Sequence, residues 1–327
     1  MKIGILLTNI GTPDAPTKAS LRRYLSEFLS DSRVVNFPIK FKFIWWLVLN
    51  VVILNTRPKK SAQNYAKIWD RIGIGSPLLS ITKLQLQGVK KTLLERHKNL
   101  VFEMGMRYGN PSISSALNKL RNQDCERIIV LPLYPQYSNT TTLSTLDVIN
   151  QVLNNSCAKK PEIIFIENYC YNDDYIQSLT NTVLEHQIKH GKPNKLIISF
   201  HGIPQRYIDN GDIYYDHCVG TAKLLAKKLD LNKSDYLFSF QSIFSREPWT
   251  KPQTKERLKT LACDGVEHIQ VICPGFSADC LETLEEIECE NRNYFIQSGG
   301  RQFSYIPALN DRDDHIEMLS KLISNYL

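Results

Sequence analysis

Residues 195–215 read K-L-I-I-S-F-H-G-I-P-Q-R-Y-I-D-N-G-D-I-Y-Y. The apolar run Leu196–Ile198 is soon followed by His201, and Gly202 and Pro204 come directly after this histidine. This order is typical of a buried parallel strand that brings a polar side chain to its carboxyl end. Open α/β sheets bind their ligands at that end. His201 is therefore the first residue for which the sequence predicts a function.

A second segment repeats this pattern with carboxylates in place of the imidazole. Residues 269–290 read I-Q-V-I-C-P-G-F-S-A-D-C-L-E-T-L-E-E-I-E-C-E. The acids at positions 279, 282, 286 and 290 would share one face of an α-helix. Two interpretations stay open from the pattern alone. The acids could form a functional ladder, or Asp279 and Glu282 could form a capping box followed by an ordinary solvated face.

Apolar strand-like runs alternate with longer helical patterns along the whole chain, which predicts βαβ units and parallel sheets. Each half begins with a hydrophobic strand, a tight glycine turn and a helix, at Leu7–Gly11 and Phe200–Gly202. We therefore predict an α/β fold with two similar halves that face a cleft. The predicted strands are Ile3–Ile10, Leu100–Met106 and Arg127–Leu133 in the first half, and Glu162–Glu167, Leu196–His201, Tyr236–Gln241 and His268–Cys273 in the second. The predicted helices are Leu78–Arg96, Asp174–Lys189, Tyr215–Leu229, Lys255–Cys263, Asp279–Asn291 and about Asp311–Leu327.

The composition is ordinary for a globular protein of 327 residues, with 43% hydrophobic and 22% charged residues. The net charge of +7 contains no dense basic block, so we expect anionic ligands or a membrane surface rather than nucleic acid. The eight cysteines are scattered without a C-x-x-C pair, and Lys2–Leu7 leads directly into turn residues. These features predict reduced thiols and a cytoplasmic protein. The phosphate-binding motifs G-x-x-x-x-G-K-[ST] and G-x-G-x-x-G are missing, which argues against ATP-driven chemistry.

Several ordered motifs resemble the ferrochelatase family. They are S-F-H-G-I-P-Q-R-Y-x-x-x-G-D, Q-S-x-F-x-x-x-x-W and G-F-S-A-D-C-L-E-T-L-E-E-I, together with K-I-G-I-L-L-T-N-I-G-T-P, R-Y-G-N-P, Y-P-Q-Y-S and I-P-A-L-N-D. The resemblance runs nearly from end to end. It implies two Rossmann-like domains, which we expect at 1–155 plus 306–327 and at 156–305. The last helix would return to the first domain, and His201 and Glu282 would lie in the second.

The resemblance also implies a reaction, the insertion of ferrous iron into protoporphyrin IX to form protoheme, the last step of heme biosynthesis. Two pyrrole protons must leave, so the site needs a base as well as a metal ligand. A neutral imidazole can be both, and imidazole with carboxylate suits ferrous iron. His201 is the predicted base and iron contact, and Glu282 is the predicted acid that takes the metal or passes protons. Asp279, Glu286 and Glu290 are implied as a proton or metal path.

The predicted porphyrin contacts have weaker individual support. Aromatic rings can pack on a tetrapyrrole, and arginine or serine can hold its propionates, but such residues also commonly fill cores or lie on solvated surfaces. The family correspondence best supports Arg107, Tyr137, Ser138 and Trp249. Ile10 takes a place where relatives often have methionine, and it keeps an apolar wall there. The full predicted set is Ile10, Arg57, Tyr65, Arg107, Tyr108, Tyr137, Ser138 and Trp249.

Two cysteines bear on the metal chemistry. Cys280 stands where many relatives have histidine, so the contribution of that neighbour to iron delivery is open. Some relatives carry an iron–sulfur cluster on a cysteine-rich tail, whereas no cysteine follows Cys289 in this chain. We therefore expect neither a cluster nor an organic cofactor, with ferrous iron present as substrate.

Residues 40–54 read K-F-K-F-I-W-W-L-V-L-N-V-V-I-L. The apolar run that starts at Phe43 is too short to span a bilayer. It could be a buried core helix, or an exposed interfacial helix, since Lys40 and Lys42 flank a tryptophan pair. In the family this position forms a lip over the substrate cleft, and we expect the same lip here at about residues 40–57. The lip predicts peripheral contact with the inner face of the membrane, and we favour a monomer.

Other functions remain open at this point. A coproporphyrin ferrochelatase would use the same fold with a more acidic substrate, although the apolar lip favours protoporphyrin. A cobalt or nickel chelatase is a further alternative, against which the match through the Trp249 segment argues. A non-catalytic tetrapyrrole or metal carrier would need the binding slot but not the base His201, so the presence of both His201 and Glu282 argues against it.

Overall fold

The computed structural model describes residues 2–36, 42–155, 160–243, 245 and 247–327. The chain divides into two compact units. Unit 1 contains Met1–Leu133, Ser138–Glu167 and Ile316–Leu327, and unit 2 contains Tyr134–Tyr137 and Asn168–His315. Unit 1 thus extends past the predicted boundary at residue 155, and the chain returns to it after His315 rather than at residue 306.

Each unit is built on a four-stranded parallel sheet, which confirms the predicted α/β class. The strand order is β2–β1–β3–β4 in unit 1 and β6–β5–β7–β8 in unit 2, so the two sheets share one topology. The strands of unit 1 are β1 (Ile3–Thr12), β2 (Leu100–Gly109), β3 (Arg127–Pro132) and β4 (Glu162–Phe165). Those of unit 2 are β5 (Lys195–His201), β6 (Tyr236–Gln241), β7 (His268–Ile272) and β8 (Gln302–Ile306).

Two strands explain the shifted boundaries. The sequence pattern assigned Glu162–Glu167 to the second half, which is wrong, because β4 pairs with β3 from Arg127 to Val130 in the first sheet. β8 was not predicted, and it pairs with β7 along its whole length. The second sheet therefore needs residues up to Ile306, and unit 2 cannot end before them.

Helices connect the strands, as the alternating pattern predicts. The α-helices are α1 (Lys18–Ser30), α2 (Lys42–Leu47), α3 (Leu54–Ile68), α4 (Pro77–Leu94), α5 (Ile113–Asn122), α6 (Ser144–Asn154), α7 (Asp173–His190), α8 (Gln205–Asp209), α9 (Tyr214–Lys228), α10 (Thr254–Cys263), α11 (Arg292–Gln297) and α12 (Asp313–Ser324). In the part of the chain that the structure describes, three segments are π-helical, namely Val48–Ile53, Asn139–Leu143 and Glu282–Asn291. Within the described ranges, no helix is both long enough and apolar enough to cross a lipid bilayer.

The acidic segment differs from the α-helix expected over Asp279–Asn291. It is π-helical from Glu282 to Asn291 and becomes α-helical only at Arg292. A π-helix forms i→i+5 hydrogen bonds and is often found at functional sites. Of the two interpretations that the sequence left open, the capping box finds no support, because the residue before this segment is Leu281, which makes no side-chain capping hydrogen bond.

Candidate active site

β5 carries His201 at its last position, opposite Gln241 of β6. β5 lies between β6 and β7, so the strand is buried on both sides and its end is held firmly. The next residue, Gly202, donates its N–H to the Gln241 carbonyl at 2.7 Å. A Cβ atom at Gly202 would lie 2.9 Å from that carbonyl oxygen and 3.4 Å from the Trp249 ring. Glycine is therefore required where the chain leaves the strand.

A hydrogen bond fixes the tautomer of His201. Its Nδ1 lies 2.6 Å from the Gly202 carbonyl oxygen. Because a carbonyl can only accept, Nδ1 carries the proton and Nε2 holds the lone pair of the neutral ring. Burial lowers the pKa of His201, and the Glu282 carboxylate and the Gly202 carbonyl oppose this shift without reversing it. The imidazole is thus neutral and basic at Nε2 near pH 7.

Glu282 lies in the same unit as His201 and close enough for its charge to act on the imidazole. The backbone of Glu282 is tied to the second sheet, since Gln241 Nε2 donates to its carbonyl oxygen at 3.1 Å. Gln241 therefore links the end of β6, opposite His201, to the start of the π-helical segment. The structure brings together the two residues that the sequence predicts as catalytic.

Glu286 is held by two donors from Ser242. The Ser242 amide donates to Oε1 at 2.7 Å, and its hydroxyl donates to Oε2. Burial raises the pKa of Glu286 to about 7, the two Ser242 hydrogen bonds oppose that rise, and the nearby Glu282 and Glu290 carboxylates add to it. A carboxyl group that titrates near neutrality can both take and release a proton under physiological conditions.

Ser242, which holds Glu286, was not among the site residues predicted from the sequence. Its φ of +66° lies in the left-handed region that residues other than glycine rarely adopt. Such strain persists only where the surroundings enforce it, and it is concentrated at functional sites. The motif Q-S-x-F-x-x-x-x-W contained both Gln241 and Ser242, so the family resemblance was the available signal, although it indicated no role for either residue.

Asp279 does not extend this path. Its Oδ1 accepts hydrogen bonds from the Tyr305 hydroxyl at 2.7 Å and from the Thr283 hydroxyl at 2.9 Å, and its Oδ2 accepts one from Asn310 Nδ2 at 2.7 Å. Its buried carboxylate is thus used at both oxygens to anchor the loop after β7 against the segment after β8. Asp279 is a structural anchor, which corrects the role that the resemblance implied. At the other end of the ladder, Glu290 is exposed and lies 3.7 Å from Lys255 Nζ.

Cys280 is buried beside the acidic segment. Burial raises the pKa of its thiol, and the Glu282 carboxylate raises it further. The side chain is therefore a neutral thiol rather than a thiolate at pH 7. A neutral thiol is a weaker proton acceptor than an imidazole would be at this position.

Two of the predicted porphyrin contacts lie in unit 2. Trp249 is mostly buried, pairs with Pro204 in a short β-bridge, and donates its ring N–H to the Ser245 hydroxyl at 3.0 Å. It therefore packs on the segment that follows His201. Tyr137 is partly exposed, and its backbone N–H donates to His217 Nδ1 at 3.1 Å. Both stay predicted porphyrin contacts.

In unit 1, Arg107 and Tyr108 belong to an internal cluster around Asp31. Arg107 Nη2 pairs with Asp31 Oδ2, and Arg107 Nε donates to the Ser144 hydroxyl at 2.6 Å. Tyr108 is fully buried, with its hydroxyl 2.7 Å from Asp31 Oδ2 and its ring edge against Phe28. Tyr108 has no exposed surface, and the charge of Arg107 is paired with that of Asp31. Both predicted porphyrin contacts are therefore corrected to structural roles.

The other predicted contacts in unit 1 have mixed surroundings. Ser138 is buried, and its hydroxyl accepts the Thr140 N–H at 3.1 Å as the cap of the segment Asn139–Leu143, which explains it structurally. Ile10 is partly exposed near the end of β1, and Arg57 is exposed on α3. Tyr65 is mostly buried on α3, with its ring edge-on to Trp69. Ile10, Arg57 and Tyr65 stay predictions.

The lip is amphipathic in the structure. Leu49 and Leu54 are buried together with Leu29, and Trp45 Nε1 donates to the Leu29 carbonyl at 3.0 Å. The opposite face is open to solvent, with Phe43 and Trp46 exposed at 69% and 55%. The predicted apolar exposure is thus confirmed on one face, while the other face packs on α1. Lys40 lies outside the described residues.

Comparison with known proteins agrees with this geometry. A model of the ferrochelatase family matches residues 2–327. The ferrochelatase of Hydrogenovibrio crunogenus is 53% identical over 98% of this chain and 85% of its own length. That of Pseudoalteromonas atlantica is 47% identical over 100% of this chain and 89% of its own length.

Solved structures of low sequence identity share the fold. SirB from Bacillus subtilis, solved with Fe3+, has a TM-score of 0.58 at 13% identity and covers 99% of this chain and 95% of its own. CbiX, a terminal enzyme for siroheme biosynthesis in denitrifying bacteria, has a TM-score of 0.51 at 11% identity over 100% of both chains. These likenesses support a chelatase fold with two Rossmann-like domains. The match of the family model over residues 2–327 and the two ferrochelatase relatives show that the chain belongs to the ferrochelatase family.

Proposed function

We propose that this protein inserts ferrous iron into protoporphyrin IX to form protoheme and releases two protons. The observation that carries the proposal is the neutral His201 imidazole, with its lone pair on Nε2, within electrostatic reach of the Glu282 carboxylate. A tetrapyrrole or metal carrier would not need a base of fixed tautomer. A metal-inserting enzyme does, because each pyrrole N–H must lose its proton before the metal can bind there.

His201 would accept the pyrrole proton at Nε2. As the ring becomes an imidazolium, the Gly202 carbonyl and the Glu282 carboxylate stabilise its positive charge. Before the proton transfer, ferrous iron, as substrate, would contact His201 Nε2 and the Glu282 oxygens. This set of donor atoms suits a borderline cation. We propose that no organic cofactor takes part.

Glu286 would take the proton onward. Its pKa of about 7 matches a group that shuttles protons at neutral pH. Glu290 is exposed one helical turn further along, so it can pass protons to water or collect cations from it. We propose the route His201, Glu282, Glu286 and Glu290, without Asp279. In this route the protons leave along the π-helical segment.

The lip would hold the protein at a membrane surface. Its exposed aromatic pair Phe43 and Trp46 stack at a centroid distance of 6.1 Å, and Lys42 precedes them. Aromatic rings next to basic residues are typical of interfacial helices that bind anionic lipids. We propose a cytoplasmic monomer in peripheral contact with the inner face of the membrane. An apolar porphyrin such as protoporphyrin would partition to such a surface.

Substrate preference tests this proposal against its main alternative. Purified protein is assayed anaerobically with ferrous iron and either protoporphyrin IX or the more acidic coproporphyrin. We expect a higher kcat/KM for protoporphyrin. Faster turnover of coproporphyrin would show that coproporphyrin, and not protoporphyrin, is the preferred substrate. Absence of metal insertion into either porphyrin would overturn the assignment as an enzyme.

A further inference from the structure

Two histidines share one face at the carboxyl end of α7. The sequence there is H-Q-I-K-H, with His186 and His190 four residues apart. Their rings stack at a centroid distance of 4.2 Å and an interplanar angle of 27°. Histidines at i and i+4 on a helix are spaced to bind one metal ion together, as in zinc-binding helices.

The surroundings of this pair contain buried polar atoms that lack a hydrogen-bond partner. Nε2 of His186 is one, and Nε2 of His268, at the start of β7, is another. On the same face of β7, Gln270 donates through Nε2 to the Gly191 carbonyl at the end of α7, which leaves its Oε1 without a partner. A buried polar atom without a partner is costly. Of these atoms, His186 Nε2 is the one that a metal ion bound to the histidine pair would satisfy.

We propose that His186 and His190 bind a divalent first-row metal ion such as zinc. Imidazole nitrogen is a preferred ligand for such ions. The carboxyl end of a helix carries partial negative charge, which favours a bound cation. Lys189 opposes the cation, but it is exposed and therefore screened by solvent. In the described part of the chain no three His, Cys, Asp or Glu side chains form a ready-made metal group, so the proposed site has two protein ligands, with water at its open positions.

This site is separate from the proposed active site. His268 begins β7, whereas Glu282 follows the opposite, carboxyl end of that strand. His190 is exposed, and its ring covers that of His186, so an arriving ion would displace the ring stack and bridge the two rings. The bridge would clamp the last turn of α7, so metal binding is expected to stabilise unit 2.

The test uses the full chain without a histidine tag and zinc as the probe. The background is the double variant His201→Ala/Glu282→Gln, in which the proposed active-site ligands are absent. Zinc affinity is measured by competition with a chromogenic chelator, and thermal melting is followed with and without zinc. We expect one zinc ion to bind and to raise the melting temperature.

The decisive substitution is His190→Ala, because this side chain is exposed and its loss should not disturb folding. We expect affinity to fall by at least about tenfold, the change that corresponds to the loss of 1.4 kcal/mol, and the zinc-induced rise in melting temperature to disappear. His97→Ala, which removes a histidine from unit 1, is the matched control and should bind zinc as before. Equal affinity in both variants, or no zinc binding in the background protein, would overturn the proposal.

Discussion

Ser242 donates both its amide and its hydroxyl to the carboxylate of Glu286, with the amide nitrogen 2.7 Å from Oε1. The left-handed backbone of Ser242, with φ at +66°, accompanies this double contact. The two donors favour the charged form of a carboxyl group that burial pushes towards the neutral form. They therefore set the pH at which Glu286 can accept a proton.

Ser242→Ala removes the hydroxyl donor and keeps the amide donor. The pKa of Glu286 should rise above its value of about 7. If ionised Glu286 carries protons away, the acidic limb of the rate profile should move up by about one pH unit, as expected for a hydrogen bond to a charged group worth about 1.5 kcal/mol. The measurement is kcat against pH, with the exposed Ser234→Ala as control. Superimposable profiles would remove Glu286 from the path.

Glu286 should also make folding stability depend on pH. Its folded-state pKa of about 7 lies above the ordinary value of 4.5, so the folded state binds more protons between these values. The contribution of Glu286 to the free energy of unfolding is therefore greatest below pH 4.5. This contribution, about 3 kcal/mol in total, is lost as the pH rises through 7.

Glu286→Gln should abolish this loss and should raise the melting temperature at pH 8 more than at pH 5. Thermal melting of both proteins at the two pH values measures the difference. Turnover should fall in the same variant, because the amide cannot accept a proton. An equal change in melting temperature at both pH values would show that the pKa of Glu286 is not raised in the folded protein.

The internal role of Arg107 can be separated from a role in porphyrin binding. Arg107→Met leaves Asp31 buried without its cation, and breaking such a pair costs about 3–5 kcal/mol. Burial alone would raise the pKa of Asp31, and hydrogen bonds from Ser144, the Arg33 amide and Tyr108, with the Arg107 charge, hold it below its ordinary value. We expect a lower melting temperature that Asp31→Asn/Arg107→Met partly restores. Porphyrin KM should not change, and a KM rise in the double variant would return Arg107 to the binding site.

Membrane contact should depend on the exposed face of the lip. Phe43→Ser/Trp46→Ser removes two exposed aromatic side chains of the lip, and we expect weaker binding to vesicles that contain anionic lipid. The melting temperature should stay the same, since neither residue is buried. Ile188→Ser, on α7 in unit 2, removes an even more exposed apolar side chain and is the control. Unchanged partitioning of the lip variant would disprove the membrane contact.

Buried strands and motif-borne catalytic residues could be predicted from the sequence. β5 contains the apolar run Leu196–Ile198, so its end, and with it His201, was visible in the pattern. Glu282 was reached through the motif that follows β7. β8 was not predicted, and it lies at the edge of the second sheet, which supports it from one side only. Its pairing with β7 is a tertiary property that no local pattern contains.

The sequence also could not predict which side chains would contact each other. The sequence places an arginine and a tyrosine at positions 107 and 108, but it cannot show that Asp31, far away in the chain, satisfies both. Likewise, the capping-box spacing at Asp279 was real, while the carboxylate is used by Tyr305 and Asn310 instead. The left-handed φ of Ser242 could not be predicted, because glycine and asparagine are the residues that usually indicate this conformation and position 242 is a serine.

The most direct test of the account is the anaerobic insertion of ferrous iron into protoporphyrin by His201→Ala. General base catalysis contributes about 10²–10⁴-fold, so turnover should fall by at least about 100-fold. Porphyrin binding, followed by fluorescence quenching, should stay close to that of the unchanged protein, and His97→Ala should keep full turnover. If His201→Ala inserts iron at the rate of the unchanged protein, the assignment of His201 as the proton acceptor is contradicted.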